Sequence, residues 1–464
     1  MKKLSYTYYY FIGIGGIGMS ALARYVHQSG GTVYGYDRTP TLLTYQLEKE
    51  GMQISYSDAV AEIPEQIITN KSTSLIIYTP AIPANHRGYM YFTTNNYTLT
   101  KRAEFLGSIC NNANGIAIAG THGKTSITTC TAHILYHSAQ KCSAFLGGIS
   151  KNFKSNYIYS AKSNNIVVEA DEFDRSFHNL YPHTALISSV DSDHLDIYET
   201  YENIVIAFEE FISHIQPHGT CIYKYGLKFN AVDTVLHTQK IKHYTYDLNN
   251  PHADFYAQSI EKNNDLYTIS IHTPFGIIPD ITIHIPGHIS IENCIAATAM
   301  CLCNSVTPEE IKNALQIYTG VRRRLDIQFK NESYIYIDDY AHHPAELRAT
   351  ISSLQDLYTN KKITGIFQPH LYSRTQDFFK EFAESLSLLD EVILLDIYPA
   401  REEPIEGVSS ELIFNEISIP HKTLCTKKDV LKILEQKDID VLVTMGAGSI
   451  DTLTEPIKHM LNKK

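Results

Sequence analysis

The sequence predicts an α/β protein of three units, each built on a mostly parallel sheet. Three observations carry this expectation. Two Gly-rich turns, Gly13–Gly18 and Gly120–Gly123, each follow a short apolar run and precede a helical pattern. Strand-length apolar runs alternate with helical stretches and repeatedly end in polar clusters, the pattern of βα units. A chain of 464 residues exceeds a single core, and about three domains are expected for that length. The expected boundaries are 1–105, 106–322 and 323–464.

Composition narrows the function classes. A hydrophobic content of 44% with 19% charged residues describes globular domains with ample core. The net charge of −11 leaves no basic surplus for a nucleic-acid backbone, although local cations could still bind a small anion. Eight cysteines include no CxxC, and only Cys301 and Cys303 form a CxC. Reduced, mostly buried thiols and a cytoplasmic protein are expected. No apolar run approaches the roughly 18 residues of a membrane span, and the glycines after MKKLSYTYYYFIGIGG make it a first strand and turn rather than a signal peptide.

In the first unit the strand YTYYYFIGI runs into the GxGxxG turn Gly13–Gly18, and the next strand ends at Asp37. This is the form of a dinucleotide fingerprint. It fits NAD or FAD, and equally any diphosphate. A further strand, LIIYTPAIP, brings Thr79 and Pro80 to its end.

The second unit opens with GIAIAGTHGKTSITT, residues 115–129. A Gly-rich turn before a helix points backbone N–H groups at phosphate oxygens. Lys124 is the expected cation for the β- and γ-phosphates, and the Thr125 hydroxyl can sit on magnesium. The motif is a variant, because Ile118 stands where the strict nucleotide loop has glycine. The strand NNIVVEADEFDRSF delivers Glu169, Asp171 and Glu172 to its end, hard oxygens suited to magnesium. TALISSV leads to Asp191-Ser192-Asp193-His194, where His194 could be a ligand or a base. Residues 219–286, with segments such as HYTYDL and LYTISIH, read as antiparallel strands added to the parallel sheet. PGHISIENC reads as a Gly turn entering a helix, with Asn293 on its first turns.

The third unit begins at the run Arg322-Arg323-Arg324, suited to gripping phosphate. Its strand ends carry Asp338, Asp339, Tyr340, His342 and His343, then His370 and Arg374. Zinc is disfavoured there, since no cysteine or third histidine stands at ligand spacing. The loop, the acids and the histidine together suggest phosphoryl transfer from ATP.

These motifs resemble those of the Mur ligases of peptidoglycan synthesis. The resemblance spans essentially the whole chain and is carried by FIGIGGIGMSALA, AGTHGKTS, VEADEFDRSF, DHLD, GVRRRLD, DDYAHHPAE, FQPHLYSRT, DIYPAREEPIEGVSS and MGAGSID. It implies three Rossmann-like domains, the central one a P-loop-type ATP domain with an added antiparallel segment. It also implies that the first turn holds the UDP of a sugar nucleotide, not NAD. Within the family the chain looks closest to the branch that uses ATP to join L-alanine to UDP-N-acetylmuramate through an acyl phosphate. The small-molecule substrates would be handled by a monomer or homodimer, with no nucleic acid and no membrane.

The resemblance further implies roles residue by residue. Gly120, Thr121, His122, Gly123, Lys124, Thr125 and Ser126 would cradle ATP. Thr125 and Glu169 would bind one Mg2+ ion and His194 a second. Asn293 would face adenine, Arg324 the γ-phosphate and Asp339 the ribose. Lys124, Glu169, His194 and Arg324 would be catalytic. Gly15, Ile17, Gly18, Met19, Asp37, Thr79 and Pro80 would line the UDP site. Tyr340, His343 and Arg374 would meet the amino acid.

The chain departs from the family pattern at several positions. Ile289 and Ser290 replace His and Asn, with His288 one position off, and Leu371 stands where many members have a second Arg. Ala207-Phe208 occupies the place of a carbamylated lysine in related ligases, as is common in the L-alanine-adding branch. Alternatives are a recycling ligase that attaches a tripeptide to the same sugar nucleotide, a non-catalytic nucleotide-binding homologue, and a nicotinamide-dependent oxidoreductase.

Overall fold

The computed structural model describes residues 4–83, 85–191, 195–229, 232–263, 266–400 and 402–463. The first sheet holds β1 (Tyr8–Ile12), β2 (Thr32–Tyr36), β3 (Gln53–Ser55), β4 (Ser74–Tyr78) and β5 (Thr98–Lys101) in the order β3-β2-β1-β4-β5, all parallel. The tyrosine-rich β1 follows from strand alternation. Tyr9 and Phe11 enter one core, while Tyr10 and Ile12 pack with Ile63, Ile67 and Phe92 on the other face.

The second sheet contains β6 (Asn114–Ala119), β7 (Ser143–Ser150), β8 (Ser155–Ile158), β9 (Asn165–Glu169), β10 (Thr184–Ile187), β11 (Thr220–Lys224) and β12 (Lys242–Tyr246). Its order is β12-β11-β10-β6-β9-β7-β8, and only the β7–β8 pair is antiparallel. This corrects the reading of HYTYDL as antiparallel: β12 pairs parallel with β11. β12 is an edge strand whose first residues, Lys242 and His243, are both exposed, and its polar/apolar alternation in sequence does not fix the direction of the neighbouring strand. β13 (Tyr256–Asn263), β14 (Leu266–Thr273) and β15 (Gly276–Ile283) form a separate three-stranded sheet.

The helix Ile17–Gln28 belongs to the first Gly-rich turn yet packs on β7 and β8. Its Tyr25 ring lies 5.6 Å from Phe145 and 6.3 Å from Tyr157. Both sheets therefore fall in one compact unit, Met1–Ile260, Ile269–Thr282 and Asn293–Tyr318. Its cavity of about 650 Å³ is lined by Tyr6, Tyr9, Tyr25, Phe105 and Ile166 among others. Tyr6, Tyr9 and Ile166 stand at the N-terminal ends of β1 and β9, whereas the Gly-rich turns follow the C-terminal ends of β1 and β6.

The other unit comprises Glu261–Thr268, Ile283–Glu292 and Thr319–Lys464. Its sheet holds β16 (Asp326–Lys330), β17 (Ile335–Asp339), β18 (Ile363–Phe367), β19 (Glu391–Leu395), β20 (Lys422–Cys425) and β21 (Val441–Met445) in the order β16-β17-β21-β18-β19-β20. β16 is antiparallel and the rest parallel. All eight cysteines are free. Among the described residues no helix is long and apolar enough to cross a membrane.

Candidate active site

The phosphate loop sits at the C-terminal end of β6. Gly120 has φ +133° and Gly123 φ +81°, so both occupy backbone space that favours glycine. A Cβ on Gly120 would also lie 2.1 Å from Ser188 Oγ and 2.8 Å from the Ser189 amide. The segment after β10 supports the loop: Thr121 N donates to Ser189 O (3.1 Å) and His122 N to Ser189 Oγ (2.8 Å). Thr121 Oγ1 lies 2.9 Å from Ser189 Oγ, and Asp191 Oδ2 is 3.4 Å from His122 Nε2. The hydroxyls of Ser188 and Ser189 brace the loop, Ser188 Oγ donating to Ala119 O (3.2 Å).

Lys124 begins the loop helix, Lys124–His137, whose Ile127, Cys130 and Ile134 are buried. Its ammonium turns back to Gly120 O (2.6 Å), Thr121 O (3.3 Å) and Glu172 Oε1 (2.7 Å). Burial alone would lower the Lys124 pKa, but the Glu172, Asp171 and Glu169 carboxylates outweigh it and raise it. Burial raises the Glu172 carboxyl, and Lys124 pulls against that rise.

At the end of β9, Glu169 accepts from Thr125 Oγ1 (3.1 Å) and from Gly147 N (3.1 Å). A Cβ on Gly147 would sit 2.1 Å from Glu169 Oε2, so this glycine admits the carboxylate. The pairing of a hydroxyl and a carboxylate beside the loop fits a hard divalent cation. His194 lies outside the described residues. Asn293, on the helix His288–Cys303, has its Oδ1 3.2 Å from where a Gly123 Cβ would be. The Ser290 hydroxyl is committed to Pro286 O (2.6 Å), and the His288 ring lies 5.9 Å from Tyr267. Ser126 O accepts from Tyr318 OH (3.5 Å).

At the first turn, Gly15 N donates to Asp37 Oδ2 (2.8 Å). Thr79 Cγ2 is 2.8 Å from a Cβ built on Gly13. Met19 is buried, whereas Ile17 and Pro80 are exposed. Arg102, missed in the sequence, places Nη1 2.9 Å from a Cβ built on Gly18 and Nη2 3.4 Å from Asp171 Oδ2. A cation directly after the end of β5 was its available signal.

In the other unit, Arg323 and Arg324 lie 4.9 and 5.1 Å from the Tyr340 ring centroid. Arg324 Nη1 is also 3.7 Å from Glu346 Oε1. Asp339 is buried and accepts from Leu325 N (2.6 Å) and Ala341 N (2.8 Å); burial raises its carboxyl. Burial pushes Asp338 up to about 6, against the pull of Arg323 at 3.2 Å. His343 caps the helix Pro344–Leu357 and its ring lies 5.1 Å from Phe378. Arg374 is buried on the helix Tyr372–Leu386, just after Leu371 at φ +72°. Burial lowers His370 to about 4, and its ring stacks on Tyr398.

Family models match almost end to end. Residues 8–114 match the Mur ligase family catalytic domain, 118–301 the Mur ligase middle domain and 323–448 the Mur ligase glutamate ligase domain. The chain belongs to the Mur ligase family. This Mur ligase is 48% identical over 458 residues to a UDP-N-acetylmuramate–L-alanine ligase of Parabacteroides distasonis, covering 99% of this chain and 98% of that one. A protein of the same name from Porphyromonas gingivalis is 48% identical over 456 residues, covering 97% and 98%. The solved UDP-N-acetylmuramate-alanine ligase of Thermotoga maritima shares the fold, with a TM-score of 0.80 at 23% identity over 98% of this chain and 99% of that one.

Proposed function

We propose that this Mur ligase joins L-alanine to the lactyl carboxylate of UDP-N-acetylmuramate, cleaving ATP to ADP and phosphate, in peptidoglycan precursor synthesis. The observation that carries this reading is the 48% identity, nearly end to end, to a relative named for that reaction. Lys124, Thr125 and Glu169 are assembled around the loop in support.

A carboxylate is a poor electrophile, and phosphorylating its oxygen creates a leaving group. The L-alanine amine then attacks the acyl carbon, and phosphate departs from the tetrahedral adduct. In this scheme the Gly120–Ser126 turn cradles the phosphates of ATP, and Lys124 exchanges Glu172 for their β- and γ-oxygens. Thr125 and Glu169 would hold one Mg2+ and His194 a second, supplying positive charge where two anions meet. Asn293 faces adenine and Arg324 the γ-phosphate, with Asp339 holding the backbone beside Arg324. Gly15, Ile17, Gly18, Met19, Asp37, Thr79 and Pro80 receive the UDP moiety, and Tyr340, His343 and Arg374 the amino acid. The three functional segments are 1–105, 106–322 and 323–464. A cytoplasmic monomer or homodimer fits substrates that are soluble nucleotides and an amino acid.

The test is phosphate release from ATP with UDP-N-acetylmuramate and each candidate nucleophile. Release with L-alanine is expected. Release only with a murein tripeptide would move the assignment to the recycling ligase. ATP binding without release would mark a non-catalytic homologue.

A further inference from the structure

We propose that Asn156 is a positioning residue for the sugar-nucleotide turn, fixing the first helix from the edge of the second sheet. Asn156 lies on β8, the last strand of that sheet, and its side chain is fully buried. Its amide Nδ2 donates to Ile17 O at 2.5 Å and Ser20 Oγ at 2.9 Å, both in the first turn of the helix Ile17–Gln28. Its Oδ1 accepts from Arg24 Nη1. Arg24 is itself buried, and its Nε and Nη2 grip Glu50 at 2.8 and 2.7 Å. Glu50 ends the neighbouring helix Leu42–Lys49.

Every polar group of the Asn156 carboxamide is therefore engaged with the helix that carries Gly13–Gly18. The surrounding contacts, Tyr25 on Phe145 and Tyr157, are ring contacts without hydrogen bonds to fix direction. The carboxamide adds directional bonds in a buried site, where a slide leaves a desolvated amide without partners. The carboxamide thus sets the depth and rotation of the helix. It sets with them the height of the Gly15 and Gly18 backbone that is proposed to meet the UDP diphosphate. This inference rests on that reading of the turn.

The test measures KM separately for UDP-N-acetylmuramate, ATP and L-alanine in Asn156→Ala and Asn156→Asp. The aspartate is nearly isosteric and keeps an acceptor for Arg24, while it loses the donor and turns an oxygen toward Ile17 O. Losing a buried hydrogen bond corresponds to about a tenfold change in a binding constant. A rise of about tenfold in the sugar-nucleotide KM is expected, with the other two constants within about twofold. Ser20→Ala, which removes one of the two acceptors, should give a smaller shift of the same pattern and serves if neither Asn156 variant folds. An unchanged sugar-nucleotide KM, or all three constants rising together, overturns the proposal. Asp37→Ala is the control for the turn itself. If that variant also leaves the sugar-nucleotide KM unchanged, the reading of the turn fails and the proposal with it. If Asp37→Ala raises it and the Asn156 variants do not, only the positioning role fails.

Discussion

Glu172 Oε1 holds the Lys124 ammonium at 2.7 Å, with both groups withdrawn from solvent. The cation proposed to receive phosphate thus already has a carboxylate partner. Removing Lys124 takes away a function and also the charge that balances a buried acid. Breaking such a pair from one side costs about 3 kcal/mol, whereas replacing both sides can be near neutral. Lys124→Ala is expected to abolish phosphate release and lower unfolding stability by about 3 kcal/mol. Lys124→Met/Glu172→Gln should regain most of the stability and none of the turnover. Urea unfolding beside the phosphate assay separates the effects; a Lys124→Ala variant as stable as wild type would refute the structural half.

Gly147 gives a sharper test of the magnesium assignment. A methyl group there would fall 2.1 Å from Glu169 Oε2. The obstacle is the far end of a flexible side chain, so the carboxylate can swing aside at little cost to the fold. It then leaves Thr125 Oγ1, now 3.1 Å away. Gly147→Ala should keep its stability within about 1 kcal/mol while the Mg2+ concentration for half-maximal turnover rises about tenfold. An unchanged Mg2+ dependence would remove Glu169 from the metal site.

Much of this was readable in sequence because the signals are local. The Gly120–Gly123 turn, the buried helix face at Ile127, Cys130 and Ile134, and the polar ends of β9 and β17 depend on neighbours a few residues apart. The parts that escaped depend on distant partners. Glu172 is visible as one acid among three, but its selection as the partner of Lys124, 48 positions away, comes from the pairing of β6 with β9. Asn156 was silent because its partners lie 132 to 139 positions away. The parallel pairing of β12 with β11 escapes as well, because alternation along one strand carries no information on the direction of its neighbour.

His133 predicts an acid-sensitive fold. It is fully buried on the loop helix, its Nε2 lies 2.9 Å from Ala314 O, and burial lowers it to about 4. An unfolded histidine titrates near about 6.5. Between these values the unfolded chain takes up a proton that the folded chain refuses. Stability from this group is therefore complete above about pH 6.5 and falls as pH drops toward 4. The loss across the window is about 2–3 kcal/mol. His133→Phe should be shallower in its pH dependence by that amount, whatever its absolute stability. Urea midpoints from pH 4.5 to 7.5 measure the slope; an unaltered slope would assign it to other groups.

Asp339 separates two ways of acting on the nucleotide. The resemblance places it at the ribose, yet its oxygens accept from Leu325 N and Ala341 N at 2.6 and 2.8 Å. Arg323 and Leu325 have φ of +61° and +42°, strained for side chains of that size. The carboxylate therefore holds a costly turn on which Arg324 stands. Asp339→Asn should lower stability by about 1–2 kcal/mol and raise the KM for ATP through Arg324. Because the oxygens are committed internally, the variant should discriminate ATP from 2′-deoxy-ATP and 3′-deoxy-ATP as the wild type does. Parallel KM measurements with the three nucleotides decide between the roles. If the wild type prefers ATP and Asp339→Asn erases that preference, the ribose contact is direct and the turn is secondary.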